Sequence, residues 1–208
     1  MKKFFTMLLA AVMMLSVTAC GEKKAAFDPQ KYVEAALEAK FYRDYDAYAE
    51  QTGVTVEEAK KQLESEFEDS LREQLAATGI QATEEQIQEY FALEAEIRAN
   101  VKFEVGTPVE DEDGNYTVRV TVTPYAGYYH FQNNFMTDLQ NAVNEGATEA
   151  DYMDVLLESL RYSIDNPAIT AGGFCELHLT YEMVDGVRMY TIEEDDVYTL
   201  DLVATGQM

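Results

Sequence analysis

Residue types that commonly do chemistry are sparse in this chain, which has two cysteines and two histidines among 208 residues. His130 and His178 stand in no spaced motif with cysteine or with each other, so the ligand pattern of a zinc site is missing. There is no Gly-x-Ser-x-Gly elbow, and Gly172-Gly173 is followed by Phe174 instead of a phosphate-binding sequence. The sequence therefore predicts no catalytic residue, no metal ligand and no cofactor.

Two acidic segments and one histidine have ordinary structural interpretations. The segment 111–115 lacks the later glutamate of a calcium loop and precedes a strand pattern, so it is predicted to be a hairpin turn. The run 193–196 suits the first turn of a helix, where negative charge is stabilised. His178 falls on the polar face of a predicted strand, which favours a surface residue.

The most unusual composition is in the segment 125–134, where aromatic rings alternate with amides. Rings supply contact area and amides supply direction, so this segment is the candidate ligand-binding surface. The alternative is a helix start whose Phe131 enters the core. The candidate ligand-binding residues are Tyr125, Tyr128, Tyr129 and His130.

The N-terminus has the order of a secretory signal. Lys2 and Lys3 precede an apolar stretch over residues 4–17, and the small residue Ala19 follows. The apolar stretch is shorter than the roughly 20 residues that a membrane-spanning helix needs. We therefore expect a cleaved signal and not a membrane span.

The end of this signal resembles the lipobox of bacterial lipoproteins, with Val17, Thr18 and Ala19 before Cys20. The resemblance implies cleavage between Ala19 and Cys20 and a diacylglyceryl group on the Cys20 sulfur. Two acyl chains give stable membrane anchoring. A secretory signal that is cut elsewhere, or a buried cysteine in a helical hairpin, is the alternative. Cys175 then has no partner cysteine and is predicted to be a small buried core residue.

The charge of the chain narrows the classes of partner. Its 15 basic and 39 acidic residues give a net charge of −24. Cleavage of the signal removes Lys2 and Lys3, which leaves 13 basic and 39 acidic residues and a net charge of −26. Nucleic-acid binding needs a basic surface, so the composition argues against a nucleic-acid partner. The acidic body is also repelled by an anionic membrane, and the anchor must then come from Cys20.

Helical periodicity dominates the first half of the mature chain. Asp28-Pro29 predicts the start of a helix whose packed side includes Lys40, and Thr55 and Thr83 begin capped helices. A short helix around Phe131 and a capped helix after Thr148 are predicted farther along. The tail 193–204 fits a helix or a strand, and we favour the helix.

Two segments change to a period of two residues, which predicts β-hairpins. The first runs from Val101 to Pro124, with Val101, Phe103, Val105 and Val109 on one face. The second, over 175–192, turns at Asp185-Gly186. The predicted fold class is α+β, with amphipathic helices packed on one face of an antiparallel sheet built from two hairpins.

We expect a signal peptide over 1–19, a lipidated tether over 20–27 and a single α+β domain over 28–208, with possible sub-units at 28–124 and 125–208. The domain resembles Gram-positive lipoproteins that carry a domain of unknown function. The resemblance rests on the lipobox, the Thr55 helix and the two Asp-Gly hairpins. The segment 79–90 is similar to helices of secreted foldase lipoproteins and SurA-like chaperones. Neither resemblance implies an activity.

The resulting functional expectation is a lipid-anchored protein on the extracytoplasmic face of the bacterial membrane. Its domain is expected to be a non-enzymatic binding or interaction module for an unknown protein or small molecule. The alternatives are a small-pocket enzyme or ligand-binding protein of NTF2-like cone fold, and a chaperone-like secretion factor. A deep polar pocket would favour the cone fold, whereas a filled apolar interface between helices and sheet would favour the module.

The anchor can be tested by metabolic labelling with a fatty acid. Wild-type protein should incorporate label, and Cys20→Ala should lose it because the acceptor sulfur is gone. Cys175→Ala removes the other thiol and should keep the label. Equal labelling of wild type and Cys20→Ala would contradict the prediction.

Overall fold

A computed structural model describes residues 27–166, 171–184 and 187–206, without the side chains of 126–130, 132 and 133. The expected signal and the tether up to residue 26, with Ala19 and Cys20, lie outside the described residues, as does the predicted turn at Asp185-Gly186. The helices are α1 (Pro29–Tyr42), α2 (Asp46–Thr52), α3 (Val56–Thr78), α4 (Glu84–Ala99), α5 (Ala126–Asn144), α6 (Tyr152–Asp165) and α7 (Glu194–Ala204). The strands are β1 (Lys102–Val105), β2 (Val109–Glu110), β3 (Tyr116–Thr123), β4 (Gly173–Val184) and β5 (Val187–Ile192). This is the predicted α+β class.

Local sequence signals fix where the helices begin. Asp28 caps α1 by accepting a hydrogen bond from the Lys31 amide, and Pro29 occupies the first turn. At α3 the Thr55 hydroxyl accepts from the Glu58 amide while the Glu58 carboxylate accepts from the Thr55 amide. Thr83 and Gln86 form the same reciprocal pair at α4. The predicted capped helices are confirmed, and the tail is helical as favoured.

The two predicted hairpins join into one antiparallel sheet. Its strand order is β1-β3-β4-β5, with β2 paired to the other end of β3. The β3 and β4 strands connect the hairpins, and Val118 lies opposite Leu177 in their register. Val184 pairs with Val187 across the second turn. The sheet therefore has five described strands because the first predicted strand is interrupted.

That interruption corrects the predicted face of Val109. Val105 pairs with Val120, but Val109 pairs with Thr117, so β1 and β2 contain one more residue than the facing part of β3. An extra residue of this kind reverses the alternation of side chains. Val109 consequently lies on the outer face of the sheet, where it is 67% exposed, and not beside Val105.

The inner face of the sheet is covered by helices and holds the core. The α1 and α7 helices contact the sheet directly, α4 packs on α1, α6 packs on α4, and α5 packs on α6. The buried residues of the sheet are Val118, Val120, Val122, Cys175, Leu177, Leu179, Tyr190 and Ile192. None of the helices in the described ranges is long and apolar enough to span a membrane.

The α5 helix starts earlier than predicted. The sequence predicts a short helix around Phe131, whereas the backbone is helical from Ala126 onward. Tyr125 precedes the helix, and its hydroxyl donates to the Ile164 carbonyl near the end of α6 at 2.7 Å. This bond supplies a partner for a carbonyl at a helix terminus and joins the two helix ends.

A cluster of charged side chains is buried between α1, α4 and α7. The Lys40 ammonium lies 3.1 Å from both carboxylate oxygens of Asp201, and these side chains are only 1% and 7% exposed. Arg98 reaches toward the same carboxylate, with Nη1 3.8 Å from Oδ1. Burial lowers the pKa of Lys40, and the attraction of Asp201 opposes that effect. The pair therefore connects the first helix of the domain to the last.

Glu94 of α4 is the second buried carboxyl group beside this cluster. Its Oε2 lies 4.0 Å from Arg98 Nε. Burial raises the pKa of Glu94 above its usual value of 4.5, and the Arg98 charge opposes this only in part. Glu94 is thus a carboxyl group whose ionisation works against the folded state.

Asp201→Asn should lower the free energy of unfolding by about 3–5 kcal/mol, because it removes the carboxylate that pairs with the buried Lys40 ammonium. The double change Lys40→Met with Asp201→Leu should recover at least half of that loss, since it removes both charges. Urea denaturation measures both values. A loss below about 1 kcal/mol for Asp201→Asn would show that the pair does not constrain the fold.

The pH dependence of Glu94→Gln tests the second carboxyl group. Below pH 4.5, Glu94 is protonated in both the folded and the unfolded wild type. Above pH 4.5 it ionises first in the unfolded state, because burial raises its pKa in the folded state. The wild type therefore loses stability until the pH passes that raised pKa. The stability of Glu94→Gln minus that of wild type should therefore increase from pH 4.5 to 8 in urea denaturation. Glu96→Gln, an exposed change on the same helix, is the control. A difference that decreases with pH would contradict the account.

Candidate functional site

The structure places the predicted ligand-binding residues at the start of α5. Tyr125 precedes the helix and is held by its bond to Ile164, so its hydroxyl has a structural contact. Burial raises the pKa of Tyr125, as expected for a partly enclosed phenol. Tyr128, Tyr129 and His130 fall in the first turns of the helix, and their side chains lie outside the described part. Their role in ligand binding stays a prediction.

An open cleft lies between α5 and α6, farther along the same helix. It has a volume of about 610 Å³ and is lined mainly by polar residues of α5, its C-terminal end and α6. The lining residues are Asn134, Asp138, Asn141, Ala142, Glu145, Val155, Glu158, Ser159 and Tyr162. Sequence periodicity did not identify this cleft, because the predicted helix around Phe131 was too short and its pairing with α6 was not predicted.

The cleft has a fixed wall and a negative charge. The buried Ser159 hydroxyl donates to Asp138 Oδ2 at 2.6 Å, which holds the Asp138 carboxylate against α6. Glu145 and Glu158 add two exposed carboxylates, and the Tyr162 ring is 57% exposed. Three carboxylates, two amides and one ring suit a ligand that carries positive charge and hydrogen-bond donors.

A second group of side chains meets beside β4, just beyond the end of β5. His178 lies on β4, Glu193 directly follows β5, and Asp196 belongs to the first turn of α7. One ligand atom from each lies within 4.8 Å of the others. The His178 side chain is 46% exposed, which agrees with the predicted surface position. The sequence separation of 18 residues between His178 and Asp196 hid this group from a search for spaced motifs.

One signal in the sequence could have placed two of these residues together. A two-residue turn at Asp185-Gly186 sets the register of the hairpin, and the observed pairs include Leu179 with Ile192. The next position along each strand brings His178 beside Glu193. Asp196 could not be found in this way because it depends on the direction of α7 after the strand.

The remaining sequence candidates have structural roles. Cys175 is buried; burial, together with the charges of Asp196 and Asp201, raises its pKa to about 12, so the thiol stays protonated. Asp111 accepts hydrogen bonds from the amides of Asp113 and Asn115, which closes the turn before β3. The predicted core cysteine and hairpin turn are confirmed.

Two small cavities lie beside Phe41, near the buried charges. Each has a volume of about 10 Å³, which is room for about one water molecule. One is lined by residues of α1, α3 and α4, and the other by residues of α1, α4 and α7. In the described part of the chain, these cavities are too small for a substrate.

Comparison with known proteins gives one fold relationship. No protein-family model matches the chain, and no curated protein matches it either. The crystal structure of a Bacillus subtilis protein described as a lipoprotein (ycdA) is similar, with a TM-score of 0.59 and 15% sequence identity. The match covers 85% of this chain and 55% of that one, so this chain corresponds to about half of its neighbour. The similarity shows that the two proteins share a fold.

Proposed function

We propose that the protein is a membrane-anchored extracytoplasmic lipoprotein whose domain is a non-enzymatic binding module for a cationic partner. The observation that carries the proposal is the open, acidic cleft between α5 and α6. The lipobox at Cys20 supports the anchor, and the lipoprotein description of the Bacillus subtilis neighbour is consistent with it.

The packing of the core supports a module over a pocket enzyme of the cone type. In a cone fold the ligand site lies between the helices and the sheet. Here Val120, Leu177 and Leu200 in that space are buried. The two small cavities beside Phe41 are lined by residues outside the strands, and each has room for about one water. A binding surface on the outside of the helices fits this arrangement better than a site beneath them.

The cleft lies on helices that make no major contact with α1, the helix nearest the expected anchor in the sequence. The tether leads into α1, which lies against the sheet, whereas α5 and α6 are connected to α1 through α4. The two helices of the cleft are thus separated from the tethered helix by a layer of the domain. Electrostatic complementarity between the acidic cleft and a basic partner would favour encounter and orientation.

The test uses a fluorescent tetralysine peptide as the probe and measures anisotropy at about 0.15 M salt, where distant charges are screened. The triple variant Asp138→Asn, Glu145→Gln, Glu158→Gln should bind about tenfold more weakly than wild type, because the cleft loses all three carboxylates. Glu50→Gln, Glu73→Gln, Glu112→Gln is the matched control, since these three acids are exposed elsewhere and the net charge changes equally. The control should bind like wild type. Equal weakening of both variants would show that general acidity, and not the cleft, binds the probe.

A further inference from the structure

Three side chains with metal-binding atoms converge where the β4-β5 hairpin meets α7. His178 supplies an imidazole, and Glu193 and Asp196 supply carboxylates, with one ligand atom of each within 4.8 Å of the others. His178 and Glu193 are exposed, so an ion can reach them from solvent. No described residue of the cleft between α5 and α6 belongs to this group.

The main chain holds the three residues in place. The Glu193 amide donates to the His178 carbonyl at 3.0 Å, which continues the strand pairing one step beyond β5. The His178 amide donates to Asp196 Oδ2 at 2.6 Å, and the same oxygen lies 2.9 Å from the imidazole Nδ1. The Asp196 carboxylate thus takes the place of the missing strand beyond the end of β5. These contacts account for Asp196 and for the imidazole beside it, but not for the Glu193 carboxylate that lies close to both.

The donor set and the spacing fit a divalent transition metal. Imidazole and carboxylate ligands both bind zinc, with bonds of about 2.0–2.2 Å, so ligand atoms around one ion are about 3.3 Å apart. The observed spacing of 2.9 Å between His178 and Asp196 needs a small widening. The Glu193 side chain is exposed and can rotate to complete the set. Three protein ligands leave a fourth position for water or for a group on a partner.

We propose that His178, Glu193 and Asp196 form a surface site for a divalent transition-metal ion such as zinc. The two carboxylates balance the charge of the ion, and the imidazole selects a transition metal over calcium or magnesium, which prefer oxygen ligands. The site rests on this geometry and is independent of the partner proposed for the cleft.

Calorimetric titration with zinc chloride tests the site in the chain from residue 20 carrying Cys20→Ser, which removes a competing thiol. Excess magnesium suppresses weak binding to the many other carboxylates. One zinc ion should bind per chain, and His178→Gln and Glu193→Gln should each weaken binding by about tenfold or more. Asp196 is left unchanged because it also pairs the backbone of β4.

The matched controls are His130→Gln, which removes the other histidine, and Glu194→Gln, which removes the neighbouring acid on α7. Both should bind zinc within about twofold of wild type, and thermal unfolding in chelator should show all four variants to be folded. In wild-type protein labelled at histidine nitrogen, zinc should shift the ring signals of His178 and leave those of His130. Undiminished binding by His178→Gln, or no binding above the magnesium background, would overturn the proposal.

Discussion

The buried ion pair between Lys40 and Asp201 is the constraint on which the rest of the structure depends. It joins residues 161 positions apart and fixes α1 against α7 beneath the sheet. Two charges with almost no exposure are tolerated only when each has its partner, so the first and last helices of the domain must be present together. This contact links the two possible sub-units, 28–124 and 125–208. Because α7 is held at Asp201, its first turn is also held, and that turn carries Asp196 to His178.

The buried core and the candidate binding surfaces lie in different parts of the structure. The interior is filled by the apolar faces of the sheet and helices, with the charged cluster enclosed at one side. The groups that could meet a ligand lie outside it, in the cleft between α5 and α6 and beside β4. A closed core and open acidic surfaces are consistent with the proposed binding module.

Local and short-range features were predictable from the sequence. Helical periodicity placed Lys40 on the packed side of α1, and capping residues fixed the starts of α3 and α4. The ion pair with Asp201 was not predictable, because nothing local specifies a partner 161 residues away. The predicted face of Val109 was wrong because the interrupted strand contains an extra residue. That residue reverses the side-chain alternation but leaves no mark in the hydrophobic pattern of the sequence. The cleft was not predicted because it depends on how α5 packs against α6, which no local pattern specifies.

The central claim is that the working surface of this protein is the pair of helices α5 and α6, while the core stays closed. Hydrogen exchange of the protein isolated from its membrane under mild conditions, compared with purified domain, tests it most directly. Residues 126–165 should gain protection in the membrane-derived sample because a partner covers them, and the amides of β3 and β4 should be unchanged. Protection confined to the strands and α1, with none gained over 126–165, would contradict the account.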